Sequence, residues 1–196
     1  MISIENKFII ITPPKTGSVS IVTSLMKYIN MSNILQQRPE CFDYSDYFNS
    51  KSKHTGINEM YKKWNVNIFG DFNSYQKFGT VRNPWDRMVS WWRWETNGTS
   101  FANFIKYPSH FTSKDILQDH FSINNKIIID SYIKFEDMQK DFDKTCSQIG
   151  IPTEKLPHMN KSKHEHYTEY YDDETREIVA QRYRKDIEYF GYKFGE

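Results

Sequence analysis

Residues 8–20 read Phe8-Ile9-Ile10-Ile11-Thr12-Pro13-Pro14-Lys15-Thr16-Gly17-Ser18-Val19-Ser20. The first four form a continuous apolar run without alternation, the pattern of a strand covered on both faces. Pro13 and Pro14 end it. Beyond Gly17, Val22, Leu25, Met26 and Ile29 recur at intervals of three, four and seven, which places them on one face of a helix that Ser18 could cap. A loop between a buried strand and a helix N-terminus offers unpaired backbone N–H groups and the positive end of the helix dipole to an anion. Lys15 adds a full charge there. A plain strand-to-helix turn with an exposed lysine is the other reading of the same residues.

The loop is not a Walker A motif, which needs a glycine directly before the lysine and another five residues before that; here prolines precede Lys15. Lys15-Thr16-Gly17 also matches a box of the serine penicillin-binding enzymes, with Ser50-Lys51-Ser52-Lys53 as their nucleophile pattern. That reading fails, because no Ser-Asp-Asn box exists and the order of the two motifs is reversed.

Outward from this unit, Phe78-Gly79-Thr80-Val81 reads as a second strand, and Pro84 opens a helix carrying Trp85, Met88, Val89 and Trp92. Between them only residues 58–64 suggest a helix. Residues 97–125 fit no clear pattern and read as an insertion. Ile127-Ile128-Ile129 and Tyr132-Ile133-Lys134-Phe135 supply more strand material; Met138, Phe142, Cys146 and Ile149 mark a helix ending at Gly150. A last helix starts at Asp172 or Asp173 with Val179, Tyr183, Ile187 and Phe190 as its stripe. Alternating strands and helices indicate an α/β fold, a mostly parallel central sheet flanked by helices.

The chain has 196 residues, enough for one domain that buries roughly 70% of its unfolded surface. Lysine plus arginine (26) nearly balances aspartate plus glutamate (25), so no whole-molecule field points to nucleic acid or an anionic membrane, and any anion site is local. The 14 Phe, 13 Tyr and 5 Trp exclude a disordered chain. Cys41 and Cys146 allow at most one bridge, which fits a reducing compartment. Glu5 interrupts any signal-peptide core, and no apolar run approaches the roughly 20 residues of a membrane span. The expectation is a cytoplasmic protein.

A second basic motif, Val81-Arg82-Asn83-Pro84-Trp85-Asp86-Arg87-Met88-Val89-Ser90, joins a strand end to a helix. Arg82 and Ser90 could share one phosphate, the guanidinium by a bidentate contact and the serine by its hydroxyl. Arg87 is either a further cation or simply paired with Asp86 or solvated. The two motifs in this order resemble the sulfotransferases that use 3′-phosphoadenosine 5′-phosphosulfate, in their compact carbohydrate-type branch. Phe135-Glu136-Asp137-Met138 is similar to that family's aromatic-Glu-Asp-Leu segment, and Leu156 to Ser162 with Tyr170-Tyr171 looks like its C-terminal part. Val19 departs from the Thr or Gly that often follows the loop serine.

The resemblance implies a P-loop-like nucleotide-binding sulfotransferase fold, a single domain over 1–196, and in-line transfer of a sulfuryl group to an acceptor hydroxyl, with a carbohydrate as the expected acceptor. It implies that Pro14, Lys15, Thr16, Gly17, Ser18, Val19 and Ser20 hold the donor's 5′-phosphosulfate, Arg82 and Ser90 its 3′-phosphate, and Lys161 and Ser162 a covering basic loop. Lys161-Ser162-Lys163 is otherwise a solvated charge run. Lys15 would neutralise charge on the bridging oxygen and no metal is required. His54 is the expected base, with Glu59 and then Asp71 behind it. His158, His164 and His166 lack a zinc-like ligand spacing. Trp85, Trp91, Trp92 and Trp94 present either a sugar-stacking face or core. The alternatives are a non-catalytic module that binds adenosine bisphosphates, and a small-molecule kinase with an atypical phosphate loop, which would need Mg²⁺. Acceptor identity and oligomeric state stay open.

Overall fold

A computed structural model describes residues 1–29, 54–95, 98–108, 115–157 and 165–196. Four strands form the main sheet: β1 (Ile2–Ser3), β2 (Phe8–Ile11), β3 (Gln76–Val81) and β6 (Ser131–Lys134), in the order β1-β2-β3-β6. β2, β3 and β6 are parallel and β1 runs antiparallel on the edge. The register pairs Ile10 with Phe78 and Phe78 with Ser131. Consequently the carboxyl ends of all three parallel strands open on one edge, where ligands of open α/β sheets bind.

Although β2 is buried throughout, its residues still alternate between the two faces. Phe8 and Ile10, with Phe78 and Ile133, pack against Ile21, Val22 and Leu25 of α1 (Ser18–Leu25) and Phe142 and Cys146 of α7 (Met138–Gln148). Ile9, Ile11 and Val81 face the other way, onto Trp85, Met88 and Val89 of α4 (Pro84–Glu95). Behind α4 lie Val179 of α8 (Asp173–Arg182), Tyr183, and Phe190 of α9 (Arg184–Phe190). The result is a sheet between two helical layers. Each fully buried Ile or Phe of these strands contributes about 1.5–3 kcal/mol relative to an exposed one.

Several expectations need correction. Ser18 is the first residue of α1 and caps nothing: Gly17, at φ 74°, precedes the helix, which has no side-chain cap. Two short helices, α2 (Ile57–Lys62) and α3 (Val66–Phe69), occupy the stretch where one was expected. Residues 97–125 are no peripheral insertion where they are described. They form α5 (Phe101–Lys106), α6 (Ile116–His120) and β4 (Ser122–Ile123), and bury Phe101, Ile105, Ile116, Leu117 and Phe121 in the core. Of Ile127-Ile128-Ile129, only Ile127 is in a strand, β5 (Lys126–Ile127), which pairs with β4 outside the main sheet. The last helix is two: Asp172 caps α8 through a reciprocal capping box with Thr175, and Tyr183, at φ −109° and ψ 26°, separates α8 from α9.

Gly79 locks the small hairpin onto the sheet. A Cβ there would lie 2.3 Å from two ring carbons of Phe121, a side chain with no exposure at all. Gly79→Ala should therefore destabilise the fold by about 1–3 kcal/mol through overpacking, read as a lower urea midpoint at unchanged m-value. An unchanged midpoint would mean that the ring moves freely.

Candidate active site

The loop that follows β2 is fixed from below and from both sides. Thr16, fully buried, donates its hydroxyl proton to the Pro13 carbonyl at 2.7 Å and shares a 2.5 Å contact with the Thr80 hydroxyl of β3. Its side chain is thus spent on the fold, which leaves only its backbone to serve a ligand. Arg82 follows β3 directly. Its Nη1 donates to the Lys15 carbonyl at 3.3 Å, its Nε to Asp86 at 2.8 Å, and its guanidinium lies 3.9 Å from the centre of the Phe135 ring. Phe135 also presses on the loop from beneath: a Cβ on Gly17 would meet its ring at 2.5 Å, and the Met138 methyl at the same distance. Gly17 is required twice, for its positive φ and for this approach.

Lys15 itself adopts φ 65°, a left-handed backbone unusual for a side-chain-bearing residue. Strain of this kind, of order 1–3 kcal/mol, persists only where surroundings over-determine it. The hydrogen bonds to its carbonyl and to its neighbours do so. α1 starts with no acidic residue in its first turn and no side-chain cap, so its first N–H groups and the positive end of its dipole are open to an anion beside Lys15.

Arg87 departs most from expectation. It does not pair with Asp86, which is held by Arg82; it is 1% exposed and donates from Nε to the Pro14 carbonyl at 3.1 Å. The Trp91 and Tyr183 rings lie 5.4 and 5.8 Å from its guanidinium, and its Nη1 is buried without a hydrogen-bond partner. Arg87 is in none of the ion pairs among the described residues, so it is a buried positive charge directly behind the anion loop.

His54 reaches the same loop at its start. Its Nδ1 lies 2.7 Å from the Thr12 carbonyl. Because a carbonyl only accepts, Nδ1 carries a proton, and in the neutral tautomer with that proton the lone pair belongs to Nε2. Gly56 fixes this segment, since a Cβ there would meet the Asp119 carbonyl oxygen at 2.2 Å. Glu59 is exposed and bonded to Lys62 at 2.8 Å, which holds its carboxyl below the usual range. Asp71 is exposed and caps a short 3₁₀ turn before β3, at the other end of that strand.

The remaining expected residues divide. Pro14 and Val19 are half-buried, Ser18 and Ser20 buried. Ser90 is half-buried, two turns into α4. Lys161 and Ser162, like His158, His164 and Cys41, lie outside the described residues. His166 bonds Thr168 through Nδ1 at 2.8 Å. Among the described residues no group of three or more His, Cys, Asp or Glu could hold a metal ion, and no helix is long and apolar enough to cross a membrane.

Thr80, Asn83 and Glu136 make contacts at the site that the motifs containing them do not specify. Glu136 accepts from the Asn83 backbone N–H at 2.6 Å, and Asn83 Nδ2 donates to the Lys193 carbonyl at 3.0 Å, tying the Arg82 turn to β6 and to the C-terminal segment. Burial raises the Glu136 carboxyl above its ordinary value, partly offset by the Asn83 bond. The Asn-Pro turn and the Phe-Glu-Asp segment were the available signals.

Two further carboxyls feel Arg87. Asp186 accepts from the backbone N–H groups of Ile116 and Leu117 at 2.9 and 3.0 Å, serving as a distant cap for α6. Asp115 has a buried Oδ1 without a partner, and burial, reinforced by Asp186, lifts it from 3.8 to about 6. A carboxyl raised in the folded state binds more protons folded than unfolded, so its stabilising contribution is complete below about pH 4 and is lost as pH rises through about 6. Asp115→Asn should flatten the decline in stability between these values in urea titrations; an identical pH profile would contradict the assignment.

A model of the sulfotransferase family matches residues 1–193. An uncharacterized protein of Archaeoglobus fulgidus is 28% identical over 102 residues, covering 49% of this chain and 85% of its own. No solved structure matches the chain. With the match running from β1 to beyond α9, through the anion loop and the Arg82 turn, the chain belongs to the sulfotransferase family.

Proposed function

We propose that this protein transfers a sulfuryl group from 3′-phosphoadenosine 5′-phosphosulfate to a hydroxyl of a carbohydrate acceptor, within one P-loop-like nucleotide-binding domain. The observation that carries the reading is the convergence of Lys15, Arg82 and His54 on loop 12–18, through the Lys15 and Thr12 carbonyls, at the carboxyl ends of the parallel strands.

The donor would supply the sulfuryl group and depart as adenosine 3′,5′-bisphosphate. The chain's own part is positioning and charge. Backbone N–H groups of Thr16, Gly17 and Ser18, with Pro14, Val19 and Ser20 shaping the loop, hold the 5′-phosphosulfate. Lys15 stabilises the charge that grows on the bridging oxygen as the S–O bond breaks. Arg82 and Ser90 take the 3′-phosphate; Nε on Asp86 and one Nη1 proton on the Lys15 carbonyl use two of the guanidinium's five N–H donors and leave the others for the phosphate. Lys161 and Ser162, which lie outside the described residues, would add basic contacts to the donor, as the resemblance implies. His54 Nε2 accepts the acceptor's hydroxyl proton as the new O–S bond forms, while the Thr12 carbonyl fixes the ring. Glu59 is a poor substitute, being exposed and stabilised in its charged form.

Thermal unfolding distinguishes this reading from its rivals. Adenosine 3′,5′-bisphosphate at ~100 times its Kd should stabilise the chain by ~2.7 kcal/mol, with adenosine 5′-monophosphate and ATP plus Mg²⁺ far weaker. Arg82→Ala should abolish the effect. His54→Ala should keep it and lose roughly 10²–10⁴-fold in turnover. A response to ATP with Mg²⁺ alone would favour a kinase, and nucleotide binding by wild type without transfer to any hydroxyl would mark a binding module.

A further inference from the structure

The five tryptophans have sharply different environments. Trp85 and Trp91 are 5% and 4% exposed. Trp64 and Trp92 are half-buried, and their indole N–H groups donate to the carbonyls of Gly70 and Thr99, each at 2.8 Å. Trp94 is 68% exposed near the end of α4. Its one assigned ring contact among the described residues is the Lys15 ammonium, 5.4 Å from the ring centre. A tryptophan this exposed sacrifices burial that its neighbours obtain, and it does so beside the lysine of the anion loop.

Resting on the transfer reading above, we propose that Trp94 is the platform on which the acceptor sugar stacks, and that Lys15 covers it until a bound donor draws the ammonium away. Trp94 follows Ser90 by four residues on α4, so it lies on the same helix face one turn further from Arg82, where it meets Lys15. An acceptor hydroxyl has to lie near Lys15, and a ring against Trp94 does. The face of an indole is electronegative, which is why it holds an ammonium within about 6 Å. The same face suits the C–H side of a pyranose, whose hydroxyls project at the rim. Lys15 and the sugar therefore compete for one surface, and an anion in the loop resolves the competition by offering Lys15 a stronger partner. Donor binding then creates acceptor affinity, a coupling that needs no movement of the backbone.

The test uses the full chain, adenosine 3′,5′-bisphosphate, and the exposed-site variants Trp94→Phe and Trp94→Ala. Saturating nucleotide should increase acrylamide quenching of wild-type tryptophan fluorescence, and the increase should vanish in Trp94→Phe. On a glycan array, nucleotide-loaded wild type should retain pyranosides that free protein does not, and Trp94→Ala should lose about tenfold or more of that binding while its calorimetric nucleotide affinity stays within about twofold. The proposal is overturned if nucleotide binds but quenching changes equally in wild type and Trp94→Phe. It is overturned if no pyranoside is retained, or if Trp94→Ala weakens nucleotide binding about tenfold, which would assign the ring to the donor's adenine. Absence of nucleotide binding to wild type would instead overturn the transfer reading itself, and this inference with it.

Discussion

Two buried guanidiniums hold consecutive carbonyls of the loop after β2: Arg87 takes Pro14 at 3.1 Å and Arg82 takes Lys15 at 3.3 Å. Everything at the site depends on this grip. A peptide unit whose carbonyl is bonded cannot rotate, so the N–H groups that follow keep their direction, and Lys15 is kept in its left-handed backbone. The Thr16 and Thr80 hydroxyls anchor the same turn to β3. The charges that make the grip also add positive potential behind the loop, where the low dielectric of the interior amplifies it. Burying Arg87 is costly, and the carbonyl bond with the faces of Trp91 and Tyr183 offsets only part of that cost, since Nη1 goes unsatisfied. Such an arrangement makes physical sense where the field itself is useful.

The strand-loop-helix unit was legible because its determinants are local: four apolar residues, two prolines, a glycine and a helical stripe within 22 residues. The helix at Pro84 and the α/β layering followed for the same reason. Where reading failed, the deciding partner was far away in sequence. α6 owes its start to Asp186, 70 residues beyond Ile116, and Phe101, Ile105, Leu117 and Phe121 join the core by packing that has no periodic trace. Gly79 looks like a flaw in a strand until Phe121 is seen to need the space.

The same distinction separates the site residues. Motif order singles out Lys15 and Arg82 as candidates, and the family resemblance singles out His54. Arg87 was not, because whether an arginine one turn into a helix is solvated or buried depends on Trp91, Tyr183 and a proline carbonyl 73 residues earlier. Composition shows four tryptophans between 85 and 94 but does not sort them; the packing of α4 buries two and leaves Trp94 beside Lys15. One helix thus carries Asp86, the partner of Arg82, at its start and Trp94, beside Lys15, at its close.

The central claim is that the loop after β2 and the turn after β3 form one site for a doubly phosphorylated nucleotide. It is tested most directly by ³¹P NMR of adenosine 3′,5′-bisphosphate titrated with the protein. The account predicts that both phosphorus resonances shift on binding, that Arg82→Lys diminishes the 3′ shift selectively, and that Lys15→Met diminishes the 5′ shift selectively. A shift confined to one phosphate, or one that both variants diminish equally at both positions, would contradict it.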